Sequence, residues 1–239
     1  MRSIQKNNNN YSSYSYSSYS NFDDDESPTS TSTIKTLEKF DRYLEKKMQN
    51  LENSLELRSN ENGNKKNILF EKSTIIEDDS ERQLLETFIK ENDKTKININ
   101  PVLLFKSSVD GDDSQKFHQK CDFRGATITL VRRTGRRFGG YNSLSWDKNL
   151  GNYLAKGDNF LFSFDTRKYY KNISGANHSY HNGSYGPTFG GGHDLYISHQ
   201  CMSNQNSYSS KSNYDMSSSY ELNGGVQKFK VLDYEVFQI

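Results

Sequence analysis

A run of glycines that ends in a histidine and an aspartate is the part of this sequence best suited to chemistry. Residues 184–197 read SYGPTFGGGHDLYI. Glycine-rich loops can bind phosphate, but a Walker loop needs a lysine after its last glycine, and a dinucleotide loop needs a helix behind it. Here His193 and Asp194 follow the glycines, and the next residues alternate between apolar and polar as in a half-buried strand. The segment therefore does not predict a nucleotide site.

The pair His193 and Asp194 could act as an acid and a base in a hydrolase. A hydrolase also needs a nucleophile on a strained turn and an oxyanion motif, and neither can be named in this sequence. We therefore expect a structural role for the pair. In that role the carboxylate accepts amide hydrogen bonds from the glycine turn, and the imidazole packs below it. A hydrolase that uses both residues is the alternative.

Histidines and cysteines suggest two further kinds of chemistry. Zinc could be bound by His178, His181 and His193, but the first two lie in an Asn/Ser/Gly-rich stretch and not on a helix that would direct both rings at one ion. We expect no metal and no cofactor. The two cysteines, Cys121 and Cys201, are too few for the disulfide framework of a secreted domain. A thiol-dependent antioxidant that uses Cys121 is a second enzymatic alternative.

Composition limits the classes of protein that remain. The chain has 239 residues, of which 32% are hydrophobic, so we expect part of it to lie outside any packed core. A net charge of +1 gives no support for a nucleic-acid surface. The one basic cluster, at Arg132, Arg133, Arg136 and Arg137, flanks a predicted hairpin turn, and we interpret it as a solvated tip and not as an anion-binding patch. No segment is apolar enough to be a membrane span or a secretory signal, which favours a cytoplasmic protein.

The first part of the chain is predicted to be a tail followed by a helix. Residues 1–32 form an Asn/Ser/Tyr-rich and acidic tail that we expect to be disordered, because it has few aliphatic residues to bury. Residues 33–60 are predicted to be helical, with Thr33 as the N-cap. Apolar residues there follow heptad spacing from Ile34 to Leu55, interrupted by Asp41. This stripe would either form a short coiled coil with another chain or pack against the domain that follows, which begins after a helix-breaking stretch at 62–67.

Residues 68–239 predict a mainly β domain. A helix with a capping box from Ser80 to Gln83, and a second helix that begins near Asp113 and places Phe117 and Cys121 on one side, come before most of the strands. The predicted strands lie at 102–106, 127–131, 137–141, 160–164, 194–197, 219–222 and 228–238, the last with a bend at 232–233. The polar segment 198–218 is predicted to be a mobile loop. Short strands without alternating helices predict a two-sheet antiparallel β-sandwich with two flanking helices.

The order and spacing of short motifs in residues 68–239 resemble those of the TLDc domain. The strongest of them is the run Gly186-Pro187-x-Phe189-Gly190-Gly191-Gly192-His193-Asp194-Leu195. From this resemblance we expect the structural or interaction motifs of the domain at Asp110, Gly111, Phe117, Cys121, Asp122, Gly139, Gly140, Trp146, Gly186, Pro187, Phe189, Gly190, Gly191, Gly192, His193 and Asp194.

The resemblance implies a β-sandwich that acts as a protein-interaction module without catalytic chemistry. TLDc proteins are associated with oxidative-stress resistance and with binding and regulation of the vacuolar proton-pumping ATPase. We therefore expect a cytoplasmic protein that binds subunits of this pump, peripheral to endolysosomal or vacuolar membranes through that partner. The heptads lie outside the resemblance, and their spacing separately predicts weak self-association through residues 34–58. A scaffold that self-assembles through the heptads and the Tyr/Ser-rich tract is an alternative from another class.

Overall fold

The structure is a computed structural model that describes residues 31–63 and 68–239. The predicted disordered tail lies almost wholly outside these residues, as does most of the predicted break at 62–67. The chain divides into two units, residues 1–66 and 67–239. Each unit is described by itself.

The described part of the first unit is one continuous helix, α1 (Thr31–Gly63). The prediction of Thr33 as its N-cap is wrong, because the helix begins two residues earlier; a run of serine and threonine at 29–33 offers several equivalent capping residues. Large apolar side chains along α1 are exposed, at 59% for Leu37, 43% for Leu44, 62% for Met48 and 63% for Leu51. The helix therefore carries an apolar stripe that nothing within residues 31–63, the described part of this unit, covers.

The second unit contains three helices and twelve strands. The helices are α2 (Asp79–Asn92), α3 (Ser107–Asp110) and α4 (Ser114–Cys121). The strands are β1 (Val102–Lys106), β2 (Thr127–Arg133), β3 (Arg136–Asn142), β4 (Asn152–Leu154), β5 (Phe160–Ser163), β6 (Lys168–Lys171), β7 (Ser179–His181), β8 (Thr188–Phe189), β9 (Leu195–Tyr196), β10 (Ser207–Tyr208), β11 (Lys228–Phe229) and β12 (Asp233–Gln238). The one-turn helix α3 was not predicted.

The strands form two six-stranded sheets in which every pair of neighbours is antiparallel. The first sheet has the order β1-β12-β2-β3-β5-β6, and the second has the order β11-β10-β9-β8-β7-β4. The predicted mainly β fold with two antiparallel sheets is confirmed. The predicted hairpin of β2 and β3 is also present, with Arg133 paired to Arg136 across the turn.

The first sheet is buried on both faces. One apolar cluster lies between the sheets and includes Val131, Phe138 and Phe189. A second cluster lies on the other face of the first sheet, where Leu85 and Phe88 of α2 pack with side chains such as those of β2 and β5. Because both faces of β2 are covered, its first five residues are all buried.

Helix α2 is held on this second face by a cap and an ion pair. The predicted capping box at Ser80 is wrong: the cap is Asp78, whose side chain accepts from the amide of Glu81. Serine and aspartate are both favourable N-cap residues, so the sequence alone does not show whether position 78 or position 80 is the cap. The guanidinium of Arg137 on β3 forms two hydrogen bonds to the carboxylate of Glu81, at 2.6 and 2.7 Å. A planar two-point contact of this kind fixes the helix against the strand.

The prediction that the basic cluster is a solvated tip is correct only in part: Arg136 is exposed, but Arg137 and Arg133 bind distant parts of the chain. Besides Arg137, the guanidinium of Arg133 donates to the backbone carbonyl of Asn223. Arg136 lies 3.8 Å from Asp165 and against Gly224. These arginines bind groups of the chain itself, which a sequence pattern cannot reveal because their acceptors lie far along the chain.

Three predictions for the last forty residues are corrected by the structure. Segment 198–218 is not a detached loop, because it contains β10 and buries Cys201, Ser207, Tyr214 and Met216. Residues 219–222 form a turn and not a strand. The predicted strand 228–238 is two strands, since β11 belongs to the second sheet and β12 to the first. The irregular alternation at 232–233 marks the passage of the chain from one sheet to the other.

Candidate interaction surface around the glycine turn

The glycine run forms the tight turn between β8 and β9. Gly190 has φ +82° and His193 has φ 56°, so both residues adopt the left-handed conformation. A Cβ added at Gly190 would lie 1.9 Å from Oδ2 of Asp194. Glycine is therefore required at 190 both for its backbone angle and for the approach of the carboxylate.

The carboxylate of Asp194 binds three successive backbone amides of another segment. Its oxygens accept from Ser212 at 2.8 Å, from Asn213 at 3.0 and 3.1 Å, and from Tyr214 at 3.1 Å. Asp194 is fully buried, and burial raises the pKa of its carboxyl although the amide hydrogen bonds act in the opposite direction. A structural role had been expected for this residue, but with amides of the glycine turn; the donors instead lie at 212–214.

The amides and carbonyls of the glycine turn are also bound from within the chain. The amide of Gly191 donates to Oδ1 of Asn213 at 2.5 Å, and the hydroxyl of Ser210 donates to the carbonyl of Gly192 at 2.8 Å. Segment 210–214 thus occupies the Gly191 amide and the Gly192 carbonyl, so these groups are not free to bind a ligand. This arrangement agrees with the absence of a Walker or dinucleotide pattern in the sequence.

Two adjacent glycines on β3 allow close approaches, Gly139 within the first sheet and Gly140 to the second sheet. A Cβ on Gly139 would lie 1.9 Å from the carbonyl oxygen of Thr129, and one on Gly140 would lie 2.7 Å from the ring of Phe189. Phe189 of β8 therefore sits in the space that Gly140 leaves open. Its ring also meets Trp146 edge-on at a centroid distance of 5.6 Å, so the glycine turn is attached to the centre of the core.

The outer side of the second sheet carries a cluster of aromatic rings, which we call the tyrosine face. It consists of His193 and five tyrosines, namely Tyr153, Tyr180, Tyr185, Tyr196 and Tyr208. The five tyrosine rings lie 5.5 to 6.4 Å from the ring of His193. All six side chains are partly exposed. Nδ1 of His193 lies 2.9 Å from the hydroxyl of Tyr208, and the hydroxyl of Tyr153 donates to the carbonyl of Gly191.

The tyrosine face arises from the strand periodicity of two. On β9 the buried Leu195 is followed by Tyr196, and on β10 the buried Ser207 is followed by Tyr208; the two tyrosines are direct cross-strand partners with ring centroids 5.3 Å apart. On the other side, Tyr153 of β4 is opposite Tyr180 of β7, with centroids 4.7 Å apart. Alternate residues point to opposite faces of a sheet, so the inward residues build the core and the outward ones build this surface.

The tyrosine face is uncharged at neutral pH. Burial lowers the pKa of His193 below its ordinary value, and burial together with neighbouring tyrosines raises the pKa of Tyr196 and of Tyr208. Such a surface offers ring faces and hydroxyl groups without a net charge. It lacks the cations that bind phosphate groups and has the composition of a protein-binding surface.

The structure does not bring the three candidate zinc ligands together. Nδ1 of His181 accepts from the amide of Asp147 at 3.0 Å, inside the core beside Trp146. His193 lies on the tyrosine face, and His178 lines a separate small cleft with Asp158 and Lys171. Among the residues that the structure describes, no group of three or more His, Cys, Asp and Glu side chains could hold a metal ion.

The side chains of His193 and Asp194, the alternative acid–base pair, bind different groups. His193 bonds to Tyr208 on the outer face, whereas Asp194 is buried and occupied by backbone amides. Elsewhere, Ser114 Oγ and Asp113 Oδ1 lie 3.2 and 3.4 Å from His199, but both approach the same nitrogen, Nδ1. A catalytic triad uses one ring nitrogen for the nucleophile and the other for the acid. Ser114, His199 and Asp113 therefore do not have the arrangement of a catalytic triad.

Both thiols are poorly suited to redox chemistry. Cys121 and Cys201 are free and fully buried in the cluster between the sheets. Burial raises the pKa of each thiol well above its ordinary value, and nearby carboxylates act in the same direction. Because the thiolate is the reactive species, this environment disfavours attack by either sulfur on a peroxide.

Residues of the second unit match a known protein family. Residues 69–239, more than half of the chain, match the TLDc domain. The chain belongs to the TLDc domain family. TLDc domains are generally non-catalytic interaction or regulatory domains, associated with oxidation-resistance proteins and with proteins related to the vacuolar proton-pumping ATPase. A search of curated proteins finds no match to this sequence. No helix in residues 31–63 and 68–239 is long and apolar enough to cross a membrane.

Other motif residues of this TLDc domain connect α3 and α4 to the sandwich. The carboxylate of Asp110 accepts from the Lys106 amide at 2.9 Å and from Lys120 at 2.7 Å, and Gly111 follows with φ +88° to end α3. On α4, Phe117 and Cys121 are both buried, which agrees with the prediction that they share one side of the helix. These contacts position the short helices.

Hydrogen bonds that involve Asp122, Gly186 and Pro187 fix the segment just before the glycine turn. Asp122 lies 2.7 Å from Nδ1 of His118, whose Nε2 faces the carbonyls of Asn182 and Tyr185. The amide of Gly186 donates to the carbonyl of Ile197, and the carbonyl of Pro187 accepts from the amide of Ile197. These contacts connect Asp122, through His118, and the Gly186-Pro187 pair to the segments on either side of the glycine turn.

Sequence reasoning missed the tyrosine face. Tyr196 lies between Leu195 and Ile197, and Tyr180 lies between Ser179 and His181; in both cases the neighbours are buried and the tyrosine points outward. The alternation was visible in the sequence for β9, where it was used to predict a strand. The cross-strand neighbours could not be identified, because the pairing of β4 with β7 joins residues more than twenty positions apart.

Proposed function

We propose that this TLDc protein is a non-catalytic protein-interaction module that uses its tyrosine face to bind a subunit of the vacuolar proton-pumping ATPase. The cluster of five partly exposed tyrosines around His193 is the observation that carries the proposal. Tyrosine contributes large contact areas at a small entropic cost and is enriched at the centres of protein interfaces. The family association supplies the identity of the partner.

The rigidity of the tyrosine face supports binding to a protein. Tyr196 and Tyr208 stand on neighbouring strands, and the turn that carries His193 is closed beneath them by Asp194 and its three amides. A surface that is ordered before binding loses less entropy when the partner docks. Through this contact the protein would act in the cytoplasm, peripheral to endolysosomal or vacuolar membranes. It would support oxidative-stress resistance by regulating the pump and not by thiol chemistry.

The test is a pull-down of the intact chain with vacuolar membranes, followed by quantitative binding to the purified soluble sector of the pump. Replacing Tyr180 and Tyr196 together by serine is expected to weaken binding at least about tenfold, since two central rings are lost. The melting temperature should change little, because both side chains point to solvent. The matched control is Ile97→Ala, which removes an apolar side chain that is 74% exposed in the segment after α2.

Two results would contradict the proposal in different ways. If the intact chain recovers no pump subunit, the partner is wrong. If the subunits bind and the double tyrosine variant binds as well as the control, the partner stands and the surface is wrong.

A further inference from the structure

We propose that α1 pairs with α1 of a second copy of this chain as a parallel two-stranded coiled coil, and that Asp41 keeps this pairing weak. The proposal concerns the first unit and does not depend on the function proposed for the TLDc domain. It starts from an apolar stripe on α1 that is exposed among the described residues of the first unit, 31–63. The charges that flank the stripe then determine the orientation of the two helices.

The stripe has heptad spacing. If Leu37, Leu44 and Leu51 are assigned to position d, then Asp41 and Met48 occupy position a. The four apolar members are 43 to 63% exposed, in a helix of 33 residues that is about 50 Å long. Leucine at the three successive d positions 37, 44 and 51 is typical of two-stranded coiled coils, and pairing would remove these side chains from water; the next d position of α1 is Arg58.

The flanking charges favour a parallel orientation. In this register Glu38, Glu45 and Glu52 occupy position e, and Lys47 occupies position g. In a parallel dimer, position g faces position e of the next heptad on the other helix. Lys47 of each copy therefore lies opposite Glu52 of the other copy, which gives two equivalent pairs of opposite charge. In an antiparallel dimer, e faces e, and glutamates would be placed against glutamates. Like charges at such positions destabilise the pairing, so the parallel arrangement is preferred.

Asp41 limits the strength of the dimer and fixes its register. In the parallel arrangement the two Asp41 carboxylates face each other at the centre of the seam, where burial of like charges is costly. A single polar residue at position a generally specifies register at the expense of stability. We therefore expect a dimer that dissociates readily, and the other occupants of the stripe, the TLDc domain or a different protein, are outcomes of the test.

The experiment is sedimentation equilibrium of the full chain and its variants. Asp41→Leu should lower the dimer dissociation constant by about tenfold or more, since it replaces two opposed carboxylates by apolar side chains. The combination of Leu44→Asp and Leu51→Asp should abolish dimerisation. Lys47→Glu and Glu52→Lys should each raise the dissociation constant, and the two together should restore it. Lys46→Glu, on the opposite side of α1, is the matched control and should leave the constant unchanged.

Orientation is tested by disulfide formation in a Leu37→Cys variant; the native Cys121 and Cys201 are buried and do not compete. The two introduced thiols are adjacent in a parallel dimer, whereas in a centred antiparallel dimer they would be roughly 27 Å apart. A chain that is monomeric at every concentration, with or without Asp41→Leu, would overturn the proposal. Dimerisation that survives the two leucine substitutions would also overturn it, because another segment would then be responsible.

Discussion

Asp194→Ala tests whether the buried carboxylate is what holds segment 212–214 against the glycine turn. The substitution removes the acceptor of three backbone amides, with donor–acceptor distances of 2.8 to 3.1 Å. A buried amide left without an acceptor costs about 1–3 kcal/mol. Because the exposed Ser212 can reach water, we take the lower part of this range and expect a loss of roughly 3–6 kcal/mol. That is a large part of the stability of an ordinary domain.

Urea unfolding followed by tryptophan fluorescence suits this measurement. The chain has one tryptophan, Trp146, and it is fully buried beside Phe189. The Asp194→Ala variant should show a much lower midpoint, and a melting temperature lower by about 10 °C or more. Asp215→Ala is the matched control, because Asp215 is exposed and close in sequence to the same amides. Asp194→Asn should fall between the two, since its amide keeps one accepting oxygen.

The reasoning fails if Asp194→Ala unfolds at the same urea concentration as Asp215→Ala. In that case the three amides would have found other partners at little cost. If stability is unchanged and pump binding is lost, Asp194 would belong to the recognition surface and not to the frame beneath it.

Two further predictions concern His181 and Gly140. Burial lowers the pKa of His181 to about 4, so the unfolded chain takes up a proton below about pH 6.5 while the folded protein does not. Stability should therefore fall on acidification, by about 2 kcal/mol at pH 5 relative to pH 7.5, and His181→Gln should reduce this pH dependence of the urea midpoint. For Gly140→Ala, a Cβ 2.7 Å from the ring of Phe189 should cost about 1–3 kcal/mol through overpacking. Adding Phe189→Leu should recover part of that loss; full additivity of the two effects would argue against the contact.

The sequence predicted the local parts of the fold. The hairpin at 127–141 was visible because alternating residues flank a Thr-Gly turn, and α4 was visible because Asp113 precedes a helical pattern with Phe117 and Cys121 four residues apart. Both signals depend on neighbours within ten residues. Short strands without alternating helices predicted the two sheets, which the structure confirms. The TLDc motifs implied the same fold, and the match over residues 69–239 confirms the family.

Segment 198–218 was mispredicted because its stability depends on a distant partner. Its serines and asparagines are typical of a solvated loop, yet the backbone amides at 212–214 satisfy the carboxylate of Asp194, and Tyr214 donates from its hydroxyl to the carbonyl of His178. A polar sequence can be buried wherever its hydrogen bonds are made inside the protein. Composition gives no indication of which residues will make them.

The position of β12 between β1 and β2 has a consequence for synthesis of the protein. Strand β12 is the last element of the domain, but its residues pair with Val102–Lys106 on one side and with Thr127–Arg132 on the other. Until residues 233–238 have been made, β1 has no hydrogen-bonded neighbour in the sheet, and the edge of β2 that β12 covers is open. The sandwich therefore cannot close until residues 233–238 have been made. A variant that lacks β12 would leave β1 unpaired and one edge of β2 exposed for chaperones or proteases to recognise.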